Sequence, residues 1–352
     1  MNRASLVLTA PLVGPFHTRF PRYNAVDLRD ALRASGAQAL ALATLPPGAL
    51  RGTEWLATDE IALPLSVVPW ANRAGVPLHE VASLAGGPGE PGQAEDEGEF
   101  VEYLGRFEAG QERLRRVHRA QAPVEELLGR PLDLRRVHEE LLPAIDAYQR
   151  QRAEEFGEGP GTGWLQARSE IVAERVLALP YERVALLAGV DELPQIMRAL
   201  EGRVDLEALR AAKEVSPEAR ERALLDTAMR GDVDDPAALL GALRELDSPE
   251  ALYHEANILL ENDHPAEALE VLERALRTDF QEPYYLPGFL LARLGQLYDL
   301  AGQRDAALRS YRGVLALSYA PLEAAEAATS GLVEPFGAAP APGAGQPTSE
   351  GN

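Results

Sequence analysis

The chain contains no cysteine. That excludes disulfides, thiolate metal sites and a cysteine nucleophile, and it agrees with a cytoplasmic setting. Basic charge is also scarce. Thirty-four Lys and Arg (34) stand against 55 Asp and Glu, a formal net charge of −21. Such a field repels nucleic acid and anionic membranes, so neither is expected as a partner. No apolar run approaches the ~18 residues of a membrane helix. The apolar segment after Met-Asn-Arg-Ala-Ser is too short for a secretory signal. His-x-x-x-His and His-Glu-x-x-His spacings are missing, and so is a Gly-x-Ser-x-Gly elbow. What is present is a 46% apolar share and a mean hydropathy of −0.19 over 352 residues. This is a soluble globular composition with room for about two domains.

The first half of the chain alternates strand and helix signals. The stretch Ser5 to His17 begins as a short β-rich apolar run and breaks at Gly14-Pro15, leaving His17 just past the strand end. Asp27 to Ser35 has a helical apolar face, with Gly36 as its left-handed stop. Ala37 to Thr44 is a small-apolar run that suits a buried parallel strand. Ile61 to Ala74 reads as a helix closed by Gly75, and Val76 to Val81 as a third strand. Gly86 to Gly98 is expected to be an acidic loop. It lacks the Gly-Lys-Ser/Thr of a phosphate loop, and its acids would repel phosphate. Glu99 to Phe156 is helical, broken near Pro123 and Pro131. The Arg113–Arg119 cluster within it is spread around the helix as a solvated face. After a second loop, Gly157 to Gly163, comes a helix to Leu179. The strand Arg183 to Ala188 and a helix from Leu193 to Leu200 follow. This rhythm predicts an α/β domain with a mostly parallel sheet.

Beyond Gly202 the strand signals give way to helices, which places a domain boundary near Val215-Ser216-Pro217. Leu294-Gly295-x-x-Tyr298, Gly302, Ala307, Tyr311 and Val314 resemble a tetratricopeptide repeat. An earlier segment (Leu252, Ala256, Leu259, Ala268, Leu272, Ala275) repeats the pattern with an insertion around Pro283. A weaker pair spans Pro217–Met229 and Pro236–Leu246. The small Gly295 and Ala307 would let helices approach closely, with Tyr298 and Tyr311 filling the space between repeats. Stacked helix pairs leave a concave face that fits a protein or peptide; the plainer alternative is packing or a homodimer scaffold. The tail from Phe336 reads as disordered by composition.

Several short motifs in the first half carry a family resemblance. They are Gly14-Pro15-Phe16-His17 after strand one, Trp70 to Pro77 before strand three, Arg168-Ser169 on a helix, and Gly189-Val190-Asp191-Glu192 after the strand from Arg183. Together they resemble the TraB/TIKI superfamily, which includes ChaN-like and erythromycin-esterase-like proteins. The resemblance implies a cleft at the strand ends lined by two Gly-x-x-His motifs, an acid and an arginine. It also implies a divalent metal that activates water against a peptide or ester bond. His17 matches the first histidine and Arg168 the arginine. Glu192 stands where the second histidine would be, and Ala43 where the acid would be. On that reading His17 and Glu192 would hold the metal, Asp191 would be a base, and Arg168 would bind an anionic group. The same residues have plainer readings: His17 as a surface histidine, Asp191-Glu192 as the acidic first turn of a helix, and Arg168 paired with Glu170 or Glu174.

The expectation is an α/β domain over 1–215, tetratricopeptide-like helices over 216–335 and a tail over 336–352. With two family groups replaced, the leading function is a cytoplasmic protein-interaction protein with a non-catalytic TraB/TIKI-like domain. The alternative is a metal-dependent hydrolase.

Overall fold

The computed structural model describes residues 4–82, 93–157, 163–231, 235–246 and 248–337. The chain divides into two compact units, Met1–Val233 and Asp234–Asn352. The expected tail beyond Gly337, most of the two expected loops and the extreme N-terminus lie outside the described residues.

The first unit is built on five strands: β1 (Leu6–Leu12), β2 (Ala39–Leu42), β3 (Leu78–Glu80), β4 (Arg183–Gly189) and β5 (Asp205–Ala208). They form one all-parallel sheet in the order β3-β2-β4-β1-β5. The chain leaves β1 for β2 and skips one position, which β4 later fills. Connections therefore depart in opposite directions from the centre of the sheet. In parallel sheets that is where a crevice opens beyond the carboxyl ends of the strands.

Helix α1 (Ala25–Ser35) starts at Asn24, whose side chain accepts from Val26 and Asp27 N–H, while Asp27 accepts from Asn24 N–H. This capping box ends as expected at Gly36, with φ 69°. The expected helix over 61–74 is a widened π turn, Leu63–Val67, followed by α2 (Val68–Ala74). Pro64 and Pro69 cannot donate to a regular ladder there. Helix α3 (Gln93–Gly105) begins inside the segment expected to be a loop; the run Gln93 to Glu97 favours helix strongly enough to override the flanking glycines. Pro123 lies inside α4 (Glu108–Leu128) and does not end it. One turn, α5 (Leu134–Arg136), runs through a second π turn into α6 (Leu142–Phe156). Helices α7 (Gly163–Leu177) and α8 (Leu193–Leu200) flank β4 in sequence.

Alternation along β1 feeds two cores. Leu8, Ala10 and Leu12 pack with Leu28 and Leu32 of α1 and with Leu63 and Val67. Val7 packs on the other face with Leu186, Val172, Val176 and Ile196. Two elements differ from the sequence expectation. Strand β5 lies past Gly202, where no further strand was expected. Helix α9 (Pro217–Arg230), expected among the repeats, belongs to the first unit. Asn24 Nδ2 donates to the Ala219 carbonyl at 2.9 Å, Ser216 Oγ donates to Asp30 at 2.6 Å, and Arg230 donates to the Thr18 carbonyl. These bonds move the division from about 215 to 233. Among the described residues no helix is long and apolar enough to cross a membrane.

The second unit is helical: α10 (Pro236–Arg244), α11 (Pro249–Glu261), α12 (Pro265–Ala275), α13 (Leu286–Leu300), α14 (Arg304–Leu315) and α15 (Leu322–Val333). Short turns at 262–264 and 301–303 join α11 to α12 and α13 to α14. Tyr311 is fully buried between two glycines. A Cβ on Gly295 would meet its ring at 2.3 Å, and a Cβ on Gly331 of α15 would meet it at the same distance. The Tyr311 hydroxyl donates to Asp299 at 3.0 Å. Asp299, whose side chain is covered, also pairs with Arg304 at 2.9 Å and accepts from Phe336 N–H at 2.9 Å. One carboxylate thus ties α13, α14 and the chain after α15.

Gly295→Ala gains up to ~1 kcal/mol of helix propensity but drives a methyl into a ring that has nowhere to move. Overpacking is expected to win, with a net loss of about 1–3 kcal/mol in urea denaturation. An unchanged or raised midpoint would show that Tyr311 is not held as described.

Candidate ligand site at the carboxyl edge of the sheet

The register of β1 with β4 runs from Leu6 opposite Arg183 to Leu12 opposite Gly189. It brings the residues after each strand to the same edge. Gly14, with φ 57°, donates its N–H to Glu60 Oε2 at 2.9 Å. Gly189 leaves room for carboxylates: a Cβ there would stand 2.5 Å from Asp191 Oδ1 and 3.3 Å from Glu60 Oε1. Glu192, 9% exposed, pairs with Arg168 at 3.0 Å. Gln149 of α6 donates to the Asp191 carbonyl. Three buried polar atoms of this cluster have no hydrogen-bond partner: Glu192 Oε2, Arg168 Nε and Gln149 Oε1. Buried polar atoms rarely stay unmatched, and unmatched atoms of both signs in one cluster suit a ligand that both donates and accepts.

The electrostatics are those of crowded acids under cover. Burial pushes the Glu60 carboxyl up to about 7. The Gly14 N–H opposes this, and Asp191, Asp59 and Glu192 add to it. Burial likewise pushes Glu192 up to about 7, against the pull of Arg168 and with a push from Asp191. The ion pair does not restore an ordinary carboxylate because the desolvation of Glu192 outweighs one guanidinium contact. Near neutral pH each carboxyl is therefore divided between a proton-donating and a proton-accepting form.

Of the residues expected at this site, the structure brings Arg168, Asp191 and Glu192 together. Arg168 pairs with Glu192, not with Glu170 or Glu174. Glu192 also serves as the N-cap residue of α8, without a capping side-chain bond. His17, expected as a metal ligand or, on the plainer reading, as a surface histidine, is instead buried and fully bonded. It is 1% exposed, and both ring nitrogens are engaged. Nε2 accepts from Val13 N–H at 3.3 Å, and Nδ1 lies 2.8 Å from the Tyr23 carbonyl, which assigns the proton to Nδ1. Burial lowers its pKa to about 4, so the ring is neutral. A metal would have to displace the Val13 bond. Ala43 is fully buried in the core and offers no donor. Among the described residues, no group of three or more His, Asp or Glu side chains is placed to hold a metal ion. The donor set therefore does not fit a catalytic divalent metal, which needs about three protein ligands.

Sequence reasoning missed Glu60 and Gln149. Neither belongs to a motif; Glu60 sits in the irregular segment between Thr58 and the π turn and reaches Gly14 only in three dimensions. No protein-family model matches the chain, and neither a curated protein nor a solved structure is significantly similar to it. The likeness to the TraB/TIKI superfamily rests on the short motifs alone.

Two measurements follow from this geometry. His17→Ala removes a doubly bonded buried ring and is expected to cost about 2–4 kcal/mol of stability; a loss under about 1 kcal/mol would contradict a structural role. Both raised carboxyls ionise less readily in the folded chain than in the unfolded one. The stability linked to them is full below about pH 4.5 and is lost as the pH rises through about 7. Glu60→Gln removes one ionisation and keeps an acceptor for Gly14. It should match the parent at pH 4 and be about 1–3 kcal/mol more stable at pH 8. An equal difference at both pH values would count against the raised carboxyl.

Proposed function

We propose that the protein is an interaction protein. Its helical unit, a set of tetratricopeptide-like repeats, engages a protein partner, and its α/β unit is a divergent TraB/TIKI-like domain that binds without metal catalysis. The observation that carries this reading is a pair of large apolar side chains left in the open at the two ends of the last helix, α15: Leu322 is 70% and Val333 84% exposed, on either side of the exposed polar positions Glu323, Glu326, Thr329 and Ser330. Leu276, Leu300, Leu315 and Phe336 add to the apolar exposure of the same unit. The close packing of α13 on α14 at Gly295, against the Tyr311 ring, supports the repeat assignment, because the repeat pattern places a small residue in the first helix and an aromatic in the second.

The hydrolase reading keeps one observation of its own: Glu60 and Glu192 both titrate near pH 7, the range a general acid–base pair needs. It requires no metal here. Peptide or ester hydrolysis that is lost in both Glu60→Gln and Glu192→Gln, with folding kept, would favour it.

The interaction reading is tested with the full chain and a co-purifying protein that is then purified and titrated back by calorimetry. Stoichiometric binding is expected, weakened at least about tenfold, or about 1.4 kcal/mol, by Val333→Glu or Leu322→Glu. His17→Ala protein that remains folded should bind as the parent does. Absence of stoichiometric binding, or binding indifferent to both glutamates, would overturn the assignment.

A further inference from the structure

A second surface lies on the first unit, on the opposite flank of the sheet from β3. A groove of about 890 Å³ opens between β5, α6 and α8. Its apolar lining includes Leu142, Met197, Val204, Leu206 and Ala208. Strand β5 is the last strand of the sheet, so among the described residues one side of its backbone has no strand neighbour. Asp205 N–H donates to the Ser5 carbonyl and Leu209 N–H to the Thr9 carbonyl, both toward β1. By the alternation of a strand, Leu206 and Ala208 turn their N–H and C=O groups the other way, to the open edge. Register places Leu206 beside Val7 and Ala208 beside Thr9 on the groove face. Asp205 and Glu207 fall beside Leu6 and Leu8, on the opposite face.

Charge on this rim is predominantly acidic. Among the lining residues Glu139 pairs with Arg135 at 2.8 Å and Asp146 with the arginine of the lining, Arg198, at 2.7 Å, which leaves Glu201, Asp205 and Glu207 as the exposed acids of the groove and its edge. His138, also in the lining, is kept neutral by burial, with its pKa lowered to about 4. Acids on an open edge oppose pairing with a second copy of the same strand, since they would meet the same acids. They do not oppose a basic strand.

We infer that β5 and its groove form a docking edge for an extended basic peptide, in which Lys or Arg alternates with apolar residues. The peptide adds as a sixth strand through Leu206 and Ala208. Its apolar side chains enter the groove beside Met197 and Val204, and its basic ones meet Asp205 and Glu207 on the other face. This surface is distinct from the helical unit and from the carboxylate cluster at the strand ends.

The test uses the full chain and a fluorescein-labelled peptide, Lys-Val-Lys-Leu-Lys-Val, read by anisotropy. Binding with a Kd below about 100 µM is expected, weakening as salt rises, with no binding of Glu-Val-Glu-Leu-Glu-Val. Ala208→Pro removes one outward N–H at an exposed edge position, where proline is tolerated, and should weaken binding at least tenfold. The double variant Asp205→Lys, Glu207→Lys should do the same and should bind the acidic peptide; it decides the matter if the proline variant does not fold. Peptide binding that neither variant changes overturns the inference, as does failure of the parent to bind the basic peptide. A homodimer that Ala208→Pro dissolves, seen by light scattering, overturns it in favour of a second copy as occupant.

Discussion

The parallel pairing of β1 with β4 is the constraint on which the first unit depends. These strands are separated by well over a hundred residues of chain, yet seven consecutive residue pairs lock them in one register. A parallel ladder fixes not only which strands touch but which ends coincide. Gly14 and Gly189 therefore arrive at the same edge, and with them Glu60, Asp191 and Glu192. A shift by one residue would turn Leu8, Ala10 and Leu12 away from α1 and scatter the carboxylates. The two cores hold the register, and the register holds the site.

Burial then decides what each polar group there can do. His17 is covered and spends both nitrogens on backbone groups, one at the end of β1 and one just before α1. It fastens the turn that follows the strand and stays neutral. The acids are covered too, but with fewer compensating contacts, so they hold protons to about pH 7. Glu80 is partnered differently. At the end of β3 it accepts N–H groups from Gly48 and Leu50 and serves the turn after β2. A carboxylate with its lone pairs occupied is a structural brace; one with an unmatched oxygen, such as Glu192 Oε2, is open to a ligand.

The helical unit uses a different economy. Its helices are joined by short turns and packed through small residues, so that one tyrosine fits between Gly295 and Gly331. Asp299 satisfies the tyrosine hydroxyl, an arginine and a backbone N–H at once. That arrangement makes the inner contacts highly specific, while Leu322 and Val333 stand exposed at the two ends of α15.

Local sequence determined a good deal. The strand runs at β1, β2 and β4, the stop of α1 at Gly36 and the helix at α8 all follow from patterns within a dozen residues. The strand over Asp205–Ala208 was not expected, because the acids in the alternation Val204-Asp205-Leu206-Glu207-Ala208-Leu209 obscure it among helical segments. Of the site, Arg168, Asp191 and Glu192 could be named in advance, because they stand beside strand ends or on a patterned helix. Tertiary structure alone decided the rest. It made His17 a buried brace, brought Glu60 to Gly14 across 46 positions, and assigned α9 to the first unit through three hydrogen bonds. Short-range patterns specify secondary structure because propensity and periodicity act locally; burial, proton affinity and the choice of partner depend on which distant segments arrive at the same place.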